Sequence, residues 1–302
     1  MITLPPFLKP GDTIGITCPA GFMPAEKAAR CIETLRAWKY NVAVGLTLGS
    51  GSQNYFSGTD EERLNELQVM LDDKNISAIL FGRGGYGTGR IIDQLNFKKF
   101  RKNPKWLIGF SDITVLHNHL LSKYKVASIH GPMAALFNDE EASVSIESLR
   151  TLLSGKKQQF TLPSNSKNIT GKATGMLVGG NLALLCNIIG TPSDFKTDNR
   201  ILFIEDIGEY IYSVDRMFSQ LHRSGKFKNL AGLILGGFSD MKDTERPFGK
   251  TVDEVLYEWA LKAGCPVAFD FPVSHGANNL ALITGGKYQL KISGEKTVLK
   301  MV

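Results

Sequence analysis

Cysteine is scarce in this sequence: its 302 residues contain only four, Cys18, Cys31, Cys186 and Cys265. None of them belongs to a C-x-x-C pair, and each stands in an apolar or helical stretch. This pattern is typical of buried free thiols, which persist in a reducing compartment. We therefore expect a cytoplasmic protein, long enough to bury a large core without disulfides.

Long apolar segments and clusters of one charge are missing as well. No apolar stretch approaches the ~18 residues that a membrane-spanning helix needs, and residues 1–6 lack the basic and apolar regions of a signal peptide. Lysine and arginine exceed aspartate and glutamate by 35 to 29, but no run of five basic residues occurs. We therefore expect neither membrane nor nucleic-acid partners, and only a mild preference for anionic small substrates.

The sequence does contain a regular alternation of apolar strands with helices. Its first half places strands near 13–17, 41–45, 76–81, 105–110 and 126–130, with helical periodicity between most of them. Such βαβα order predicts an α/β fold, with a parallel sheet of Rossmann or flavodoxin type and helices on both faces.

The length of the chain predicts two domains. Residues 155–170 are polar and lysine-rich with no periodicity, so we predict a linker there. It would join an N-terminal α/β domain, residues 1–154, to a smaller C-terminal α/β domain, residues 171–302. The tail from residue 280 onward alternates polar and apolar residues and predicts β-hairpins.

One stretch in the first half combines a buried strand, a sharp turn and a helix. Trp106 to Phe110 is an apolar run of strand length, and helical spacing follows from Ile113. Ser111 occupies the turn, where a hydroxyl can stand clear of the sheet beside the free N–H groups of a helix start. It is either a nucleophile or a helix N-cap, and local sequence favours the cap. Because position 113 is Ile, the stretch is not the G-x-S-x-G motif of α/β-hydrolases.

The five histidines differ in how well they could serve as a catalytic base. His117 and His119 are two residues apart on one predicted helix, so they share no face and form no helical metal pair. His222 lies mid-helix on an expected solvated face, and His130 ends an apolar strand, where it either lines a site or belongs to the core. His275 lies on a loop rich in glycine and asparagine, which can present an imidazole. No Asp, Glu or Cys cluster completes a metal site, and none is expected.

A carboxylate suited to orient such an imidazole ends another strand. Glu205 follows the apolar run 201–204, and a carboxylate there can stabilise an imidazolium. Asp206 and Glu209 are close rivals for the same role. A capping or loop-stabilising carboxylate is the structural alternative.

The glycine-rich run Gly82–Gly87 follows a strand and precedes a helix. It is neither a G-x-G-x-x-G motif at the first βα turn, where dinucleotide-binding folds place it, nor a Walker sequence with its Lys-Ser/Thr. It can instead let a backbone N–H approach a reacting carbonyl, as an oxyanion hole requires. Ligands of parallel sheets bind beyond the carboxyl ends of the strands, so this run, Ser111 and His130 should lie on one rim.

Six motifs occur in order along the chain. They are Arg83-Gly84-Gly85-Tyr86-Gly87, Gly109-Phe110-Ser111-Asp112, His130-Gly131-Pro132-Met133, Gly179-Gly180-Asn181, Glu205-Asp206-Ile207-Gly208-Glu209 and the His275 loop. In combination they resemble the LD-carboxypeptidase family of serine peptidases, which also contains the microcin C immunity peptidases. The resemblance implies a triad of Ser111, Glu205 and His275, with an oxyanion hole formed by the backbone N–H groups of Gly85 and Asp112.

The same resemblance implies an active site where two α/β domains meet, usually within a homodimer. Two positions depart from the family pattern. Ser274 stands where glycine often precedes the histidine, and Leu282-Ile283-Thr284-Gly285 replaces a Leu-Pro-x-Gly ending. These departures bear on the shape of the histidine loop more than on the identity of the histidine.

The activity that the resemblance implies is hydrolysis by acyl transfer, with no cofactor. In the main branch of the family the substrate is a cytoplasmic murein tetrapeptide, from which D-alanine is released in peptidoglycan recycling. Arg83, Tyr86 and Asn181 are the candidate substrate contacts. Arg83 either binds a substrate carboxylate through paired hydrogen bonds or braces its loop.

Two alternatives stay open. The microcin branch cleaves aminoacyl-nucleotide antibiotics and tends to carry a longer loop with an aromatic residue that stacks on the nucleobase. Here the connection 190–200 is short and its only aromatic residue is Phe195, which favours the murein branch. A non-catalytic peptide- or nucleotide-binding module is the other alternative, and the presence of all three triad residue types argues against it.

Overall fold

The chain forms two β-sheets flanked by helices in the computed structural model, which describes residues 2–302. Its strands are β1 (Thr13–Thr17), β2 (Asn41–Val44), β3 (Ile76–Phe81), β4 (Trp106–Gly109), β5 (Ser128–His130), β6 (Gln159–Pro163), β7 (Gly171–Asn181), β8 (Arg200–Ile207), β9 (Gly232–Ser239), β10 (Val267–Ala268), β11 (Leu282–Thr284), β12 (Lys287–Ile292) and β13 (Lys296–Met301). Its helices are α1 (Ala29–Ala37), α2 (Asp60–Asp72), α3 (Thr88–Ile91), α4 (Lys98–Lys102), α5 (Thr114–His119), α6 (Ser143–Leu153), α7 (Leu182–Asn187), α8 (Ile211–Arg223) and α9 (Val252–Ala263). As far as residues 2–302 are concerned, no helix has both the length and the apolar character to cross a membrane.

The first sheet has six strands in the order β11-β5-β4-β3-β1-β2. Strands β1 to β5 are parallel, and their order is that of flavodoxin-like folds. The predicted parallel α/β architecture is therefore confirmed. Both β3 and β4 are buried almost throughout, which explains why they are continuous apolar runs rather than alternating ones.

The second sheet has seven strands in the order β10-β9-β8-β7-β12-β13-β6. Its first four strands, β7 to β10, run parallel. The hairpin β12–β13 and the edge strand β6 extend the sheet in antiparallel fashion. The carboxyl end of β8 therefore faces the same way as those of its parallel neighbours, and Glu205 lies there.

Strands β11 and β6 differ from the sequence-based predictions. The sequence predicts β-hairpins in the tail, and β12 and β13 form one, but β11 pairs antiparallel with β5 of the first sheet instead. The segment 155–170 is not only a connection, since it contains β6, which pairs with β13. Residues of β6 alternate between exposed and half-buried at the sheet edge, so this strand needs few apolar residues. The division into domains 1–154 and 171–302 stays a prediction.

A pair of glycines lets the second sheet approach the first half of the chain closely. Gly179 and Gly180 in β7 have φ angles of +143° and +137°, a backbone conformation that residues with a side chain rarely adopt. Asn118 Nδ2 donates to Gly179 O at 3.2 Å, and Asn181 N donates to Thr114 Oγ1 at 3.0 Å. Both partners belong to α5, the helix that follows the candidate serine, so these bonds join the second sheet to that helix.

Gly179→Ala should destabilise the protein strongly. A Cβ on Gly179 would lie 1.9 Å from the carbonyl oxygen of Phe203, and φ would stay at +143°. Left-handed strain and forced repacking together correspond to about 2–5 kcal/mol of unfolding free energy, which urea unfolding would measure. Gly190→Ala is the matched control, because Gly190 also has a positive φ, +79°, but a Cβ there meets nothing within 4 Å. Equal losses in the two variants would contradict the steric argument.

Candidate active site

Ser111 lies on a sharp turn between β4 and α5. Its φ of +59° is in the left-handed region, which a residue other than glycine adopts only when its surroundings impose it. A strained strand-to-helix turn is typical of a nucleophile that must stand clear of a sheet. The 3₁₀ turn that begins at Ser111 has no side-chain cap, so the N-cap interpretation does not describe this residue.

Three side chains from distant parts of the chain form one hydrogen-bonded line. Ser111 Oγ lies 2.9 Å from His275 Nε2, and His275 Nδ1 lies 2.6 Å from Glu205 Oε2. A carboxylate only accepts hydrogen bonds, so Nδ1 donates to Glu205 and Nε2 is left to accept from the serine hydroxyl. This is the order of groups that allows a histidine to remove a proton from a serine.

The surroundings of His275 raise its affinity for a proton. Burial by itself lowers the pKa of the imidazole, but the hydrogen bond and charge of Glu205, helped by the charge of Asp206, outweigh it. The pKa of His275 therefore lies above its ordinary value of 6.5. The imidazole is free to accept a proton only when the pH exceeds this raised pKa.

Asp206, the neighbour of Glu205, serves different partners. Its Oδ1 accepts from Asn181 Nδ2 at 2.7 Å, and its Oδ2 accepts from the backbone N of Ala183 at 3.0 Å. Burial raises the pKa of the Asp206 carboxyl to about 6. Asn181 is only 3% exposed, and its Oδ1 caps α7 by accepting from Leu184 N. Asn181 therefore holds Asp206 and α7 in place rather than facing an open cleft as a substrate contact.

The glycine-rich loop packs against Ser111. A Cβ on Gly84 would lie 3.0 Å from Ser111 Oγ and 3.4 Å from Asp112 N, so this part of the glycine-rich loop presses directly against the serine. Across residues 2–302, neither the Gly85 amide nor the Asp112 amide donates a hydrogen bond to another protein group. Unpaired N–H groups next to a nucleophilic oxygen are what a developing oxyanion needs.

Two buried charged side chains fix the glycine-rich loop. Asp112 Oδ2 accepts from Thr88 N at 2.8 Å, at the start of α3. Arg63 of α2 is fully buried and donates to the carbonyl oxygens of Pro19 and Gly87. Sequence reasoning missed Arg63, because an arginine among the charged residues of an amphipathic helix predicts a solvated face.

Gly84→Ala should impair catalysis without unfolding the protein. A Cβ on Gly84 would lie 2.9 Å from Ser111 Cβ, so the serine or the loop must move. A displacement of about 1 Å at a reacting group can lower kcat/KM about 10²-fold, which an assay of murein tetrapeptide hydrolysis, the activity that the family resemblance implies, would detect. Gly89→Ala, five residues further on, is the matched control because a Cβ there meets nothing within 4 Å. Full activity in Gly84→Ala would contradict the close contact between the glycine-rich loop and Ser111.

The loop that carries His275 is anchored by two residues outside it. Ser145 Oγ of α6 donates to Ala277 O at 2.6 Å and accepts from Asn279 N at 2.8 Å. His130 Nε2 lies 3.1 Å from Asn279 Oδ1, and His130 is fully buried, so it belongs to the core rather than to the cleft lining. Sequence reasoning missed Ser145, since a serine inside a helix gives no sign of a distant loop as its partner.

The serine at the departure from the family pattern is used inside the same loop. Ser274 Oγ accepts from Gly276 N at 3.1 Å and donates to Asn278 O at 2.9 Å. The loop is therefore closed on itself on both sides of His275. This arrangement keeps the imidazole in line with Ser111 although residue 274 is not glycine.

The remaining histidines of α5 serve the core. His117 Nε2 lies 2.8 Å from Gly109 O, and His119 Nδ1 lies 2.8 Å from Ser193 Oγ. Burial lowers the pKa of each to about 4, so both stay neutral near pH 7. In the part of the chain that the structure describes, no group of three His, Cys, Asp or Glu side chains could hold a metal ion.

Arg83 and Tyr86 both lie on the exposed rim of the site. Arg83 Nη1 donates to Phe22 O at 2.9 Å, and its side chain is otherwise open to solvent. Tyr86 is 52% exposed, and its ring centre lies 6.0 Å from that of Phe56. Both side chains are accessible to a ligand, unlike the buried Asn181.

Two family models match the segments of the chain that contain Ser111, Glu205 and His275. Residues 14–131, which include Ser111, match the model of the LD-carboxypeptidase N-terminal domain. Residues 174–290, which include Glu205 and His275, match the model of the LD-carboxypeptidase C-terminal domain. This chain belongs to the LD-carboxypeptidase family. The resemblance that the sequence motifs indicated is therefore confirmed.

Relatives within and around the LD-carboxypeptidase family span nearly the whole chain. The "Probable murein peptide carboxypeptidase" of Bacillus subtilis (strain 168) is 33% identical over 299 residues, which cover 98% of this chain and 93% of that protein. The "Microcin C7 self-immunity protein" of Escherichia coli is 29% identical and covers 93% of this chain and 90% of its own length. The crystal structure of muramoyltetrapeptide carboxypeptidase from Oxalobacter formigenes superposes with a TM-score of 0.86 at 29% identity, over 96% of this chain and 98% of that one.

Proposed function

We propose that this protein is a serine-type LD-carboxypeptidase that hydrolyses the L,D-peptide bond before the terminal D-alanine of murein tetrapeptides. The observation that carries the proposal is the hydrogen-bonded line from Ser111 through His275 to Glu205, with the unpaired amides of Gly85 and Asp112 beside the serine. Membership of the LD-carboxypeptidase family and the names of its relatives support the substrate class.

The proposed mechanism is acyl transfer through Ser111. His275 Nε2 takes the hydroxyl proton while Oγ attacks the carbonyl carbon of the residue before D-alanine, and the Gly85 and Asp112 amides bind the resulting oxyanion. The C–N bond then breaks as His275 returns the proton to the leaving amine, and the peptide stays esterified to Ser111. His275 next takes a proton from a water molecule, which attacks the ester carbon. The bond to Ser111 Oγ then breaks, His275 returns the proton to Oγ, and the shortened peptide is released. Glu205 stabilises the imidazolium in both halves of the reaction.

Cleavage of aminoacyl-nucleotide antibiotics is the second candidate function. The similarity of this chain to the microcin self-immunity protein supports it. The connection 190–200 argues for the murein substrate. Its aromatic residue, Phe195, is 1% exposed and lies under Lys226, whose Nζ is 4.5 Å from the ring centre. A ring buried in this way cannot stack on a nucleobase. A binding module without catalysis is disfavoured by the geometry of the three aligned side chains.

One incubation separates these three functions. The protein is supplied in parallel with a murein tetrapeptide and with an aminoacyl-sulfamoyl adenosine, and the release of D-alanine or free amino acid is followed over time. We expect D-alanine from the tetrapeptide and little release from the nucleotide. Release from the nucleotide alone would favour the immunity function, and no release from either would favour a binding module.

We further propose that the enzyme is cytoplasmic, binds murein peptide as its substrate, and works as a homodimer without nucleic-acid or membrane partners. The four cysteines are free and buried, which supports a reducing compartment. The homodimer rests on the family resemblance. Light scattering coupled to size-exclusion chromatography would test it, and a monomer at micromolar concentration would overturn it.

A further inference from the structure

A carboxypeptidase must recognise the free carboxylate that ends its substrate, and the inference that follows rests on the proposed function. The carbon of that carboxylate is one residue away from the scissile carbonyl carbon, a distance of roughly 4 Å. The group that binds it must therefore adjoin the oxyanion amides. The carboxylates of Glu205 and Asp206 lie near His275 and would repel a substrate carboxylate, so the binding group is expected on the glycine-rich loop.

Arg83 is the cation at this place in the fold. It directly precedes Gly84 and Gly85, and its guanidinium rests on the backbone of Gly21, with Nε 3.4 Å from where a Cβ on that glycine would lie. One Nη1 hydrogen bond to Phe22 O, 2.9 Å long, holds the group without neutralising it. A guanidinium fixed in this way keeps other N–H groups free for a carboxylate.

The neighbouring arginines do not have this freedom. Arg63 and Arg90 both pair with Asp60, and Arg63 is fully buried. Within residues 2–302, Arg83 forms no ion pair. The rim therefore offers one unneutralised guanidinium beside the oxyanion amides.

A second donor, Tyr55, comes from the loop between β2 and α2. Its hydroxyl oxygen lies 2.9 Å from where a Cβ on Gly85 would be, so the phenol stands directly over the glycine whose amide is unpaired. Tyr55 is 58% exposed, although its ring packs edge-on against Phe56 at 5.3 Å between centres. The hydroxyl is free to donate to a ligand placed over Gly85.

Backbone hydrogen bonds fix Tyr55 against the glycine-rich loop. Phe22 N donates to Tyr55 O at 2.9 Å, and Gly21 N donates to Gly84 O at 3.1 Å. The segments that follow β1, β2 and β3 are thereby tied side by side. Tyr55 and Arg83 thus approach the same short stretch of backbone from two sides.

We propose that Arg83 and Tyr55 together form the subsite that binds the carboxylate of the leaving D-residue. Arg83 supplies paired N–H donors and the positive charge, and the Tyr55 hydroxyl supplies a third hydrogen bond from the side of Gly85. This subsite restricts the enzyme to removal of the last residue. A chain that continues, or that ends in an amide, leaves the guanidinium without a counter-charge and brings extra atoms against the phenol.

The test compares a tetrapeptide that ends in free D-alanine with the same peptide ending in D-alaninamide, using full-length protein. Wild type should prefer the free acid by at least about 100-fold in kcat/KM, since a hydrogen bond to a charged group corresponds to about 10- to 150-fold. Arg83→Gln should lower kcat/KM for the acid about 100-fold and Tyr55→Phe about 10-fold, mainly through KM. Both variants should change kcat/KM for the amide by less than about threefold, because the amide does not use the subsite.

Two controls separate this role from loop bracing. Arg101→Gln and Tyr257→Phe change the same residue types at exposed positions on α4 and α9, and should leave both substrates unaffected. Covalent labelling of Ser111 by a small fluorophosphonate should be equally fast in wild type, Arg83→Gln and Tyr55→Phe, because that reagent has no terminal carboxylate.

The outcomes distinguish the subsite from the proposed function. If wild type cleaves the acid and the amide equally well, the subsite is overturned while the peptidase activity stands. If Arg83→Gln and Tyr55→Phe slow both substrates and the labelling alike, these residues only brace the loop, and the subsite is again overturned. If wild type releases D-alanine derivatives from neither peptide, the proposed function itself fails.

Discussion

Ser111→Ala should lower kcat for D-alanine release by about 10⁶-fold, leaving only the rate that binding and the oxyanion amides sustain. This substitution removes only the hydroxyl group, whose oxygen lies 2.9 Å from His275 Nε2. Steady-state release of D-alanine from a murein tetrapeptide measures kcat, and a fluorophosphonate label read by mass spectrometry reports the nucleophile directly. Both signals should vanish together.

The triad can be tested further by combining substitutions. If Ser111 and His275 act as one unit, the double variant Ser111→Ala/His275→Ala should be no slower than Ser111→Ala, because the second change removes a partner that is already idle. Ser122→Ala is the matched control, since that serine follows α5 and lies outside the hydrogen-bonded line. A Ser111→Ala enzyme that keeps more than about one per cent of the wild-type rate would exclude Ser111 as the nucleophile.

Glu205→Gln should lower kcat by about 10³–10⁴-fold although it barely changes the size of the side chain. Glu205 is completely buried and accepts from His275 Nδ1 at 2.6 Å. An amide at this position can donate to Nδ1, which places the imidazole proton on Nε2 and removes the acceptor for the serine hydroxyl. The residual rate, measured under saturating substrate, reports how much of the catalysis depends on the correct tautomer.

The pH dependence of the Glu205→Gln variant gives a second, independent result. In wild type the pKa of His275 is raised above 6.5, because Glu205 and Asp206 together outweigh the effect of burial, so kcat/KM should rise through a midpoint above pH 6.5. Removing the charge of Glu205 takes away most of the stabilisation of the imidazolium and lowers the pKa of His275. The acidic limb of kcat/KM should therefore move to lower pH in the variant.

Asp206→Asn is the comparison that separates the two adjacent carboxylates. Asp206 raises the pKa of His275 through its charge alone, at longer range, and bonds to Asn181 and Ala183 instead. We expect a smaller shift of the same limb and a kcat within about tenfold of wild type. A larger loss of kcat in Asp206→Asn than in Glu205→Gln would contradict this assignment and give the orienting role to Asp206.

Much of the architecture could be predicted because it depends on local pattern. Strands β3 and β4 are continuous apolar runs because both of their faces are buried. The segments after them show helical periodicity because a helix buries only one face. Strand β6 could not be predicted, since an edge strand that is half exposed needs few apolar residues. Strand β11 is apolar enough to be seen, but its partner β5 lies far away in the chain, so its sheet could not be assigned.

The candidate site divides in a similar way. The sequence indicates Ser111, Glu205 and His275 as candidates because each lies at or beyond the carboxyl end of a strand, within a motif that resembles the LD-carboxypeptidase family. Arg63 and Tyr55 carry no such signal, because the loop that they support or cover comes from another part of the chain. Asn181 belongs to a motif, yet its side chain is buried against Asp206, a contact that a motif does not specify.

The sequence by itself determined which segments become strands and helices, which residue types end the strands, and to which family the chain is similar. These depend on neighbours within a few residues, so they can be recognised along the chain. Only the tertiary structure decided that Glu205 rather than Asp206 meets His275, and that Tyr55 stands over Gly85. Such pairings depend on how two sheets and several loops pack, and an interaction between residues far apart in sequence leaves no periodic mark on either of them.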